Sequence, residues 1–159
     1  MSDLLLSLSR WLERHSPPLR DVVWLIVRLY VANVFFKSGL TKIDDWSTTL
    51  FLFTEEYHVP LLPPALAAVM GTAGELGLSA LLVLGLAGRF SACGLFILNI
   101  VAVISYPAVR EDAALLASHT HWGLMLAVLA VSGPGRLALD AVLLRIISRR
   151  YQDNFPHRG

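Results

Sequence analysis

Four long apolar runs constrain this chain more than any other feature: Val22 to Leu40, Ala65 to Gly88, Phe90 to Tyr106 and Trp122 to Leu139. A helix rising about 1.5 Å per residue needs about 17 to 25 apolar residues to cross the hydrocarbon of a bilayer. In lipid every backbone N–H and C=O must be paired within its own segment or in a closed barrel, and these runs are too long for barrel strands. The pattern predicts an all-α membrane protein, a four-transmembrane-helix bundle. Composition agrees, since 55% of the 159 residues are hydrophobic and only 16% charged, with a mean hydropathy of +0.61. One membrane domain over residues 1–159 suffices, with the bundle at 21–140 between a surface helix at 1–20 and a tail at 141–159.

Charge placement sets the expected orientation. Arg10, Arg14 and Arg20 precede the first run, Arg89 separates the second from the third, and Arg136, Arg145, Arg149, Arg150 and Arg158 follow the fourth. Asp44, Asp45, Glu55, Glu56, Glu111 and Asp112 fall on the other side. The Lys/Arg bias places both termini in the cytoplasm. A net charge of +1 carries no signal for nucleic acid, and none is expected as a partner. The one cysteine, Cys93, leaves no intramolecular disulfide, CxxC motif or thiolate metal cluster to build, and reads as a small apolar filler. The N-terminus lacks a basic n-region and a small-residue cleavage site, so Leu4-Leu5-Leu6 is not read as a signal peptide and the first run inserts the protein.

Between the runs the local signals are specific. Leu4, Leu5, Leu8, Trp11 and Leu12 recur at helical spacing opposite Arg10, Glu13 and Arg14, which predicts an amphipathic helix on the membrane surface, capped by Ser2 or Asp3 and broken by Pro17-Pro18. The loop from Asp44 to Pro64 is too apolar to hang free. A short helix capped by Ser47 is expected there, burying Leu50, Phe51 and Phe53 over the bundle mouth. In the second run Gly71, Gly74 and Gly77 surround Glu75 and should let helices approach closely. The fourth run opens with His119-Thr-His-Trp122 and closes at the turn Gly133-Pro-Gly-Arg136. The tail from Leu137 to Arg150 predicts a second surface helix.

The chemistry-bearing residues are those that hydrocarbon does not tolerate. Arg28 lies inside the first run and must face other helices with a partner, for which Glu75 is the candidate. At about 100° per residue Arg28, Phe35, Gly39, Lys42 and Trp46 share one face, whereas Lys37 lies opposite and can snorkel. Counting from the cytoplasmic ends puts Arg28 roughly 10 Å, Asn99 roughly 14 Å and Glu75 roughly 20 Å deep. Arginine's length covers most of the difference, so the three are expected in one layer. Two readings stand open: interhelical glue that specifies packing, or a ligand site for a polar head group or quinone ring. His58, His119 and His121, with Glu55 and Glu56, are weak metal candidates, because helical residues two apart point about 200° apart. No histidine is expected mid-membrane, which leaves no bis-histidine haem, and cluster ligands are lacking.

With those residues in hand, the chain resembles the DoxX family of small bacterial four-helix membrane proteins. The resemblance rests on Arg28, Phe35, Gly39 and Lys42-Ile-Asp-Asp-Trp46 in the first run, Gly-Thr-Ala-Gly-Glu75-Leu in the second, Leu-Gly-Leu-Ala-Gly-Arg89 at its end, and Gly133-Pro-Gly-Arg-Leu-Ala-Leu-Asp140 after the fourth. It spans about Val22 to Asp140 and implies a bacterial plasma-membrane protein linked to ubiquinone or menaquinone. Family members include subunits of a thiosulfate:quinone oxidoreductase, and relatives serve in methylamine utilisation. The string from Phe35 to Phe53 is similar to a subgroup encoded beside enzymes that modify copper-binding peptides, which suggests metal stress.

Three functions follow as expectations. The chain is a quinone-binding or membrane-anchoring subunit serving a redox partner, with Arg28, Glu75 and Asn99 at the ring and Lys42 and Trp46 near the mouth. Alternatively it is a non-catalytic module supporting a metal-stress system, or a small transporter that homodimerises through the glycines of the second run. Lacking a redox centre of its own, it is not expected to act as an oxidase alone.

Overall fold

The computed structural model describes the backbone of residues 2–154 and the side chains of residues 18–148. Among these residues there are helices and turns and no strand. The order is α1 (Ser2–Asp44), α2 (Trp46–Glu55), α3 (Pro64–Leu84), α4 (Gly88–Ser105), α5 (Pro107–Glu111), α6 (Ala113–Ser132) and α7 (Leu139–Asn154). Helices α3, α4 and α6 are each long and apolar enough to cross a membrane. The expected first span, Val22–Leu40, lies within the 43-residue α1.

Four helices close a ring, α1 against α3, α3 against α4, α4 against α6 and α6 back against α1. The centre of the ring is filled by Val31, Ala32, Phe35, Leu82, Leu95 and Leu126. Outward faces stay apolar, with Ile26 at 60%, Ile97 at 59% and Val131 at 80% exposure, as hydrocarbon solvation of the rim demands. A second, smaller cluster joins Phe53 of α2 to Ala67 and Ala68 of α3, so α2 lies across the N-terminal half of α3. We call this the acidic end of the ring; the turn joining α3 to α4 and the turn joining α6 to α7 form the arginine end.

Several sequence expectations are corrected. Pro17-Pro18 does not break α1, which runs unbroken from Ser2 to Asp44. Proline's fixed φ is itself helical; it removes donors and crowds the preceding turn, and here the chain absorbs this. Side chains of the expected surface face and the expected caps Ser2 and Asp3 lie outside the described residues. Helix α2 is capped by Asp45, not Ser47: the Asp45 carboxylate accepts from the Thr48 N–H at 2.9 Å, and the Ser47 hydroxyl, inside the helix, donates to the same carboxylate. Phe53 is buried but Phe51 points outward. The last span starts earlier than expected, because Asp112 accepts from the Ala114 and Leu115 N–H groups and caps α6. It closes at Gly133, at the turn expected there, where a following proline disfavours helix in the residue before it. Cys93 faces outward instead of filling the core. Gly71 and Gly74 abut Phe53 and Leu98, but a methyl group at Gly77 would meet nothing within 4 Å, so Gly77 does not serve packing in this chain.

Gly85 ends α3 in the left-handed region, φ +70°, where its N–H closes the last helical turn. A Cβ there would stand 2.8 Å from the Ala138 backbone and 2.8 Å from Arg28 Nη1. Gly85→Ala combines dihedral strain with a backbone clash and is expected to cost about 2 kcal/mol or more of stability, read by thermal unfolding in detergent. Gly77→Ala is expected to leave the midpoint unchanged or slightly raised; equal losses at both positions would contradict this account.

Candidate functional site

The three polar residues expected in one layer occupy three separate places. Arg28, only 2% exposed, reaches toward the arginine end and donates from Nη1 to the Pro134 carbonyl at 2.9 Å and from Nη2 to the Leu137 carbonyl at 3.3 Å. Helical side chains lean toward their own N-terminus, so in α1 the arginine's length carries it away from Glu75. The expected Arg28–Glu75 pair does not form. A guanidinium offers several donors and no acceptor, and the carbonyls left open where α6 ends and the chain turns into α7 are a fitting set of partners.

Asp140, in the first turn of α7, completes this junction. Its carboxylate accepts from the Ala87 N–H at 3.1 Å and the Gly88 N–H at 3.0 Å, capping α4 from the far end of the chain, while its own N–H donates to the Gly85 carbonyl at 3.1 Å. Ala87, the formal N-cap, has no side chain able to do this.

Glu75 is held by Lys42. The Lys42 ammonium donates to both carboxylate oxygens at 2.7 and 2.8 Å and to the Ser38 hydroxyl at 2.8 Å. The two side chains are 17% and 14% exposed, so each removes most of the other's need for water. Lys42 lies fourteen residues beyond Arg28, about 21 Å further along the helix. Gly39 makes the pairing possible. A Cβ there would sit 2.7 Å from Leu76 Cγ and 3.3 Å from Glu75 Cβ, so glycine lets α1 approach α3 one turn below Lys42.

The pair stands beside an open cleft of about 480 Å³ between α1 and α2, lined by Ser38, Lys42, Thr48, Thr49, Phe53 and Tyr57. The Thr49 hydroxyl donates to the Lys42 carbonyl at 2.9 Å and ties α2 to the end of α1. Tyr57 is stacked between Phe53 and Tyr106, at centroid separations of 4.6 and 4.4 Å. Burial, reinforced by Tyr106 and by the charge of Glu75, pushes its hydroxyl up to about 12, so it remains a donor at any physiological pH. Of the residues expected at the site, Gly39, Lys42 and Glu75 meet here. Phe35 packs edge-on against Trp122 in the core, 6.3 Å between ring centroids, and Trp46 is exposed outside the cleft.

Asn99 belongs to a third place. Its Nδ2 donates to the His119 carbonyl at 2.9 Å, which turns Oδ1 toward His119 Nδ1, also at 2.9 Å. With the amide oriented by the backbone, Nδ1 carries the hydrogen and Nε2 is the free acceptor of the neutral ring. The two residues border an apolar groove of about 310 Å³ between α4 and α6. His119 therefore lies inside α6, in its second turn, and not at the opening of the helix. His58 is exposed on the loop after α2, and its N–H donates to the Ser105 carbonyl. Among the described residues no three His, Cys, Asp or Glu side chains gather as a metal would require.

Ser38, Thr49, Tyr57 and Asp140 were not among the expected site residues, and His119 was expected only as a weak metal candidate. The antiparallel register of α1 and α3, with Gly39 level with Leu76, is what selects Lys42 over Arg28, and register is not written in either run alone.

Glu75→Gln leaves Lys42 with a shielded, uncompensated charge and is expected to cost about 2 to 3 kcal/mol, less than for a fully buried pair because of the residual exposure. The double variant Lys42→Met/Glu75→Leu should recover most of that loss in the same thermal assay. The Asp45 carboxyl is held down to about 2 from 3.8 by its bonds with Thr48. A lowered value means stability that is complete above the ordinary value and lost as pH falls through the folded one. Circular dichroism from about pH 4 to about pH 2 should show a shallower acid loss in Asp45→Asn, which keeps a capping oxygen without the titration.

A family model for DoxX matches residues 23–108, from α1 through α4 into α5. No curated protein and no solved structure matches the chain. The match covers more than half of the 159 residues and includes Arg28, Gly39, Lys42, Glu75, Arg89 and Asn99, while α6, the Gly133–Asp140 turn and α7 lie beyond it. With its three apolar helices of spanning length, the chain is an integral membrane protein and belongs to the DoxX family.

Proposed function

We propose that this protein is a bacterial plasma-membrane protein of four spans, α1 supplying the fourth, with both termini cytoplasmic, and that it holds a quinone head group in the cleft beside Lys42 and Glu75 for a redox partner. The observation that carries this reading is the shielded Lys42, bonded to Glu75, at the wall of a cleft lined by hydroxyl-bearing and aromatic side chains. A cleft of about 480 Å³ suits a head group of this size, for pockets of a few hundred Å³ with few convergent polar groups are the common form of small-ligand sites. A quinone, when bound, supplies two-electron and two-proton acceptance.

The chain's own residues supply the surroundings. Leu52 and the edges of the Phe53 and Tyr57 rings give the cleft an apolar wall, the Tyr57 hydroxyl offers a donor to a carbonyl oxygen, and Lys42, its three N–H groups engaged by Glu75 and Ser38, lends positive charge. Glu75, already bonded through both oxygens to Lys42, is placed to take up or release a proton through that ammonium. The Asn99–His119 groove is a second location for the same kind of ligand, favoured by the free Nε2 of a ring whose other nitrogen is engaged. The alternatives of a metal-stress module and a dimeric transporter rest on no comparable feature, and the centre of the ring is packed with side chains.

The test is mass spectrometry of the lipid extract from protein purified gently out of its native membrane. Ubiquinone or menaquinone near one per chain is expected in the wild type, and its loss in Lys42→Met/Glu75→Leu places it in the cleft. Retention there with loss in His119→Phe would move it to the α4–α6 groove. No enrichment over bulk lipid in the wild type would overturn the quinone reading and turn attention to a protein partner.

A further inference from the structure

A second cavity lies at the opposite end of the ring from the proposed quinone cleft and serves none of its chemistry. It is an open pocket of about 720 Å³ where α1, the start of α4, the Gly133–Arg136 turn and α7 meet. Its walls carry Arg20, Arg89 and Arg136 against two carboxylates, Asp21 and Asp140. One of those carboxylates is engaged by backbone amides and the other faces Arg136 within the pocket. Asp140 is occupied by the Ala87 and Gly88 amides, and Asp21 meets Arg136 only loosely, at 3.9 Å. Among the described residues Arg20 and Arg89 have no carboxylate partner and no side-chain hydrogen bond. Arg89 is laid along the turn, its Nε 3.3 Å from where a Cβ on Gly133 would be, so the absence of a side chain at Gly133 is what lets the guanidinium lie there. Behind the turn Arg28 adds a further buried cation.

We infer that this pocket binds the phosphate of an anionic phospholipid. Guanidinium groups match phosphate oxygens in planar, paired hydrogen bonds, and basic pockets at the ends of spanning helices are where acidic head groups collect. The surroundings fit an amphiphile better than a soluble anion. Phe90 and Leu144, both 67% exposed, line the same pocket, and Val131 lies one residue before its rim residue Ser132. A lipid phosphate among the arginines would lay its chains over these apolar side chains, along a surface that already faces hydrocarbon. The inference does not depend on the quinone reading.

The experiment uses the full chain in a neutral detergent, with thermal stability and native mass spectrometry read against added phosphatidylglycerol, phosphatidylcholine or glycerol phosphate. Phosphatidylglycerol is expected to raise the midpoint and remain bound, and phosphatidylcholine to do neither. Arg20→Gln/Arg89→Gln should bind phosphatidylglycerol about tenfold or more weakly with its lipid-free midpoint little changed, whereas Lys37→Gln, on the far face of α1, should behave as wild type. Equal stabilisation by the two lipids, or an undiminished response in the double variant, would overturn the proposal. Glycerol phosphate matching phosphatidylglycerol at the same concentration would overturn the lipid assignment and leave a soluble phosphate as ligand. Should the double variant not fold, the wild type decides alone: bound phosphatidylglycerol must fall away as salt is raised, and binding indifferent to salt would refute an arginine–phosphate contact.

Discussion

A buried guanidinium held by backbone carbonyls is the contact on which the rest of this bundle hangs. Arg28 cannot lose its charge and cannot reach water from its position in α1, so the fold must bring oxygen atoms to it. They come from the turn after α6, and that turn is bound in place by the partners of Arg28. Gly85 makes room for the guanidinium and for Ala138, and Asp140 sews the start of α7 to the exposed amides at the start of α4. One cation thus fixes the relation of four segments: α1, the α3–α4 turn, the α6–α7 turn and α7.

The other shielded cation is treated differently. Lys42 meets a carboxylate, in a contact that a single glycine permits, and the pair borders open space. An ion pair of this kind contributes little net stability compared with apolar side chains of the same volume, but it is costly to break by halves. Such a pair is well suited to a site whose charge must remain available while the surrounding helices stay packed. Arg28 is enclosed by the carbonyls of the α6–α7 turn, whereas Lys42 lines an open cleft.

Much of this was visible in the chain as written. The apolar runs mark α3, α4 and α6 as helices of spanning length, and the intrusion of Arg28, Glu75 and Asn99 into apolar stretches marks them as residues needing partners. Which partner each one takes was not visible. Depth along a helix was estimated from the ends of the runs, but the direction in which a long side chain leans adds or subtracts several ångströms, and for Arg28 that lean points away from Glu75. The cap at Asp45 was missed in favour of Ser47 because both residues are good caps two positions apart, and only the geometry of the α1–α2 corner chooses between them. His119 was placed at a mouth because the run was counted from Trp122; the capping aspartate Asp112, ahead of Ala-Ala-Leu-Leu-Ala, was the available signal for an earlier start.

The arrangement around Arg28 also bears on how the protein is made. Its acceptors, the carbonyls of Pro134 and Leu137, lie 106 and 109 residues further along the chain. When this part of α1 emerges, none of them has been synthesised. Until the last helix arrives, the arginine must find its oxygens in lipid head groups, and its lean toward the N-terminal end of α1 carries it toward them. The turn that satisfies Arg28 is translated more than a hundred residues after it, so this part of the bundle cannot close until α6 has been made.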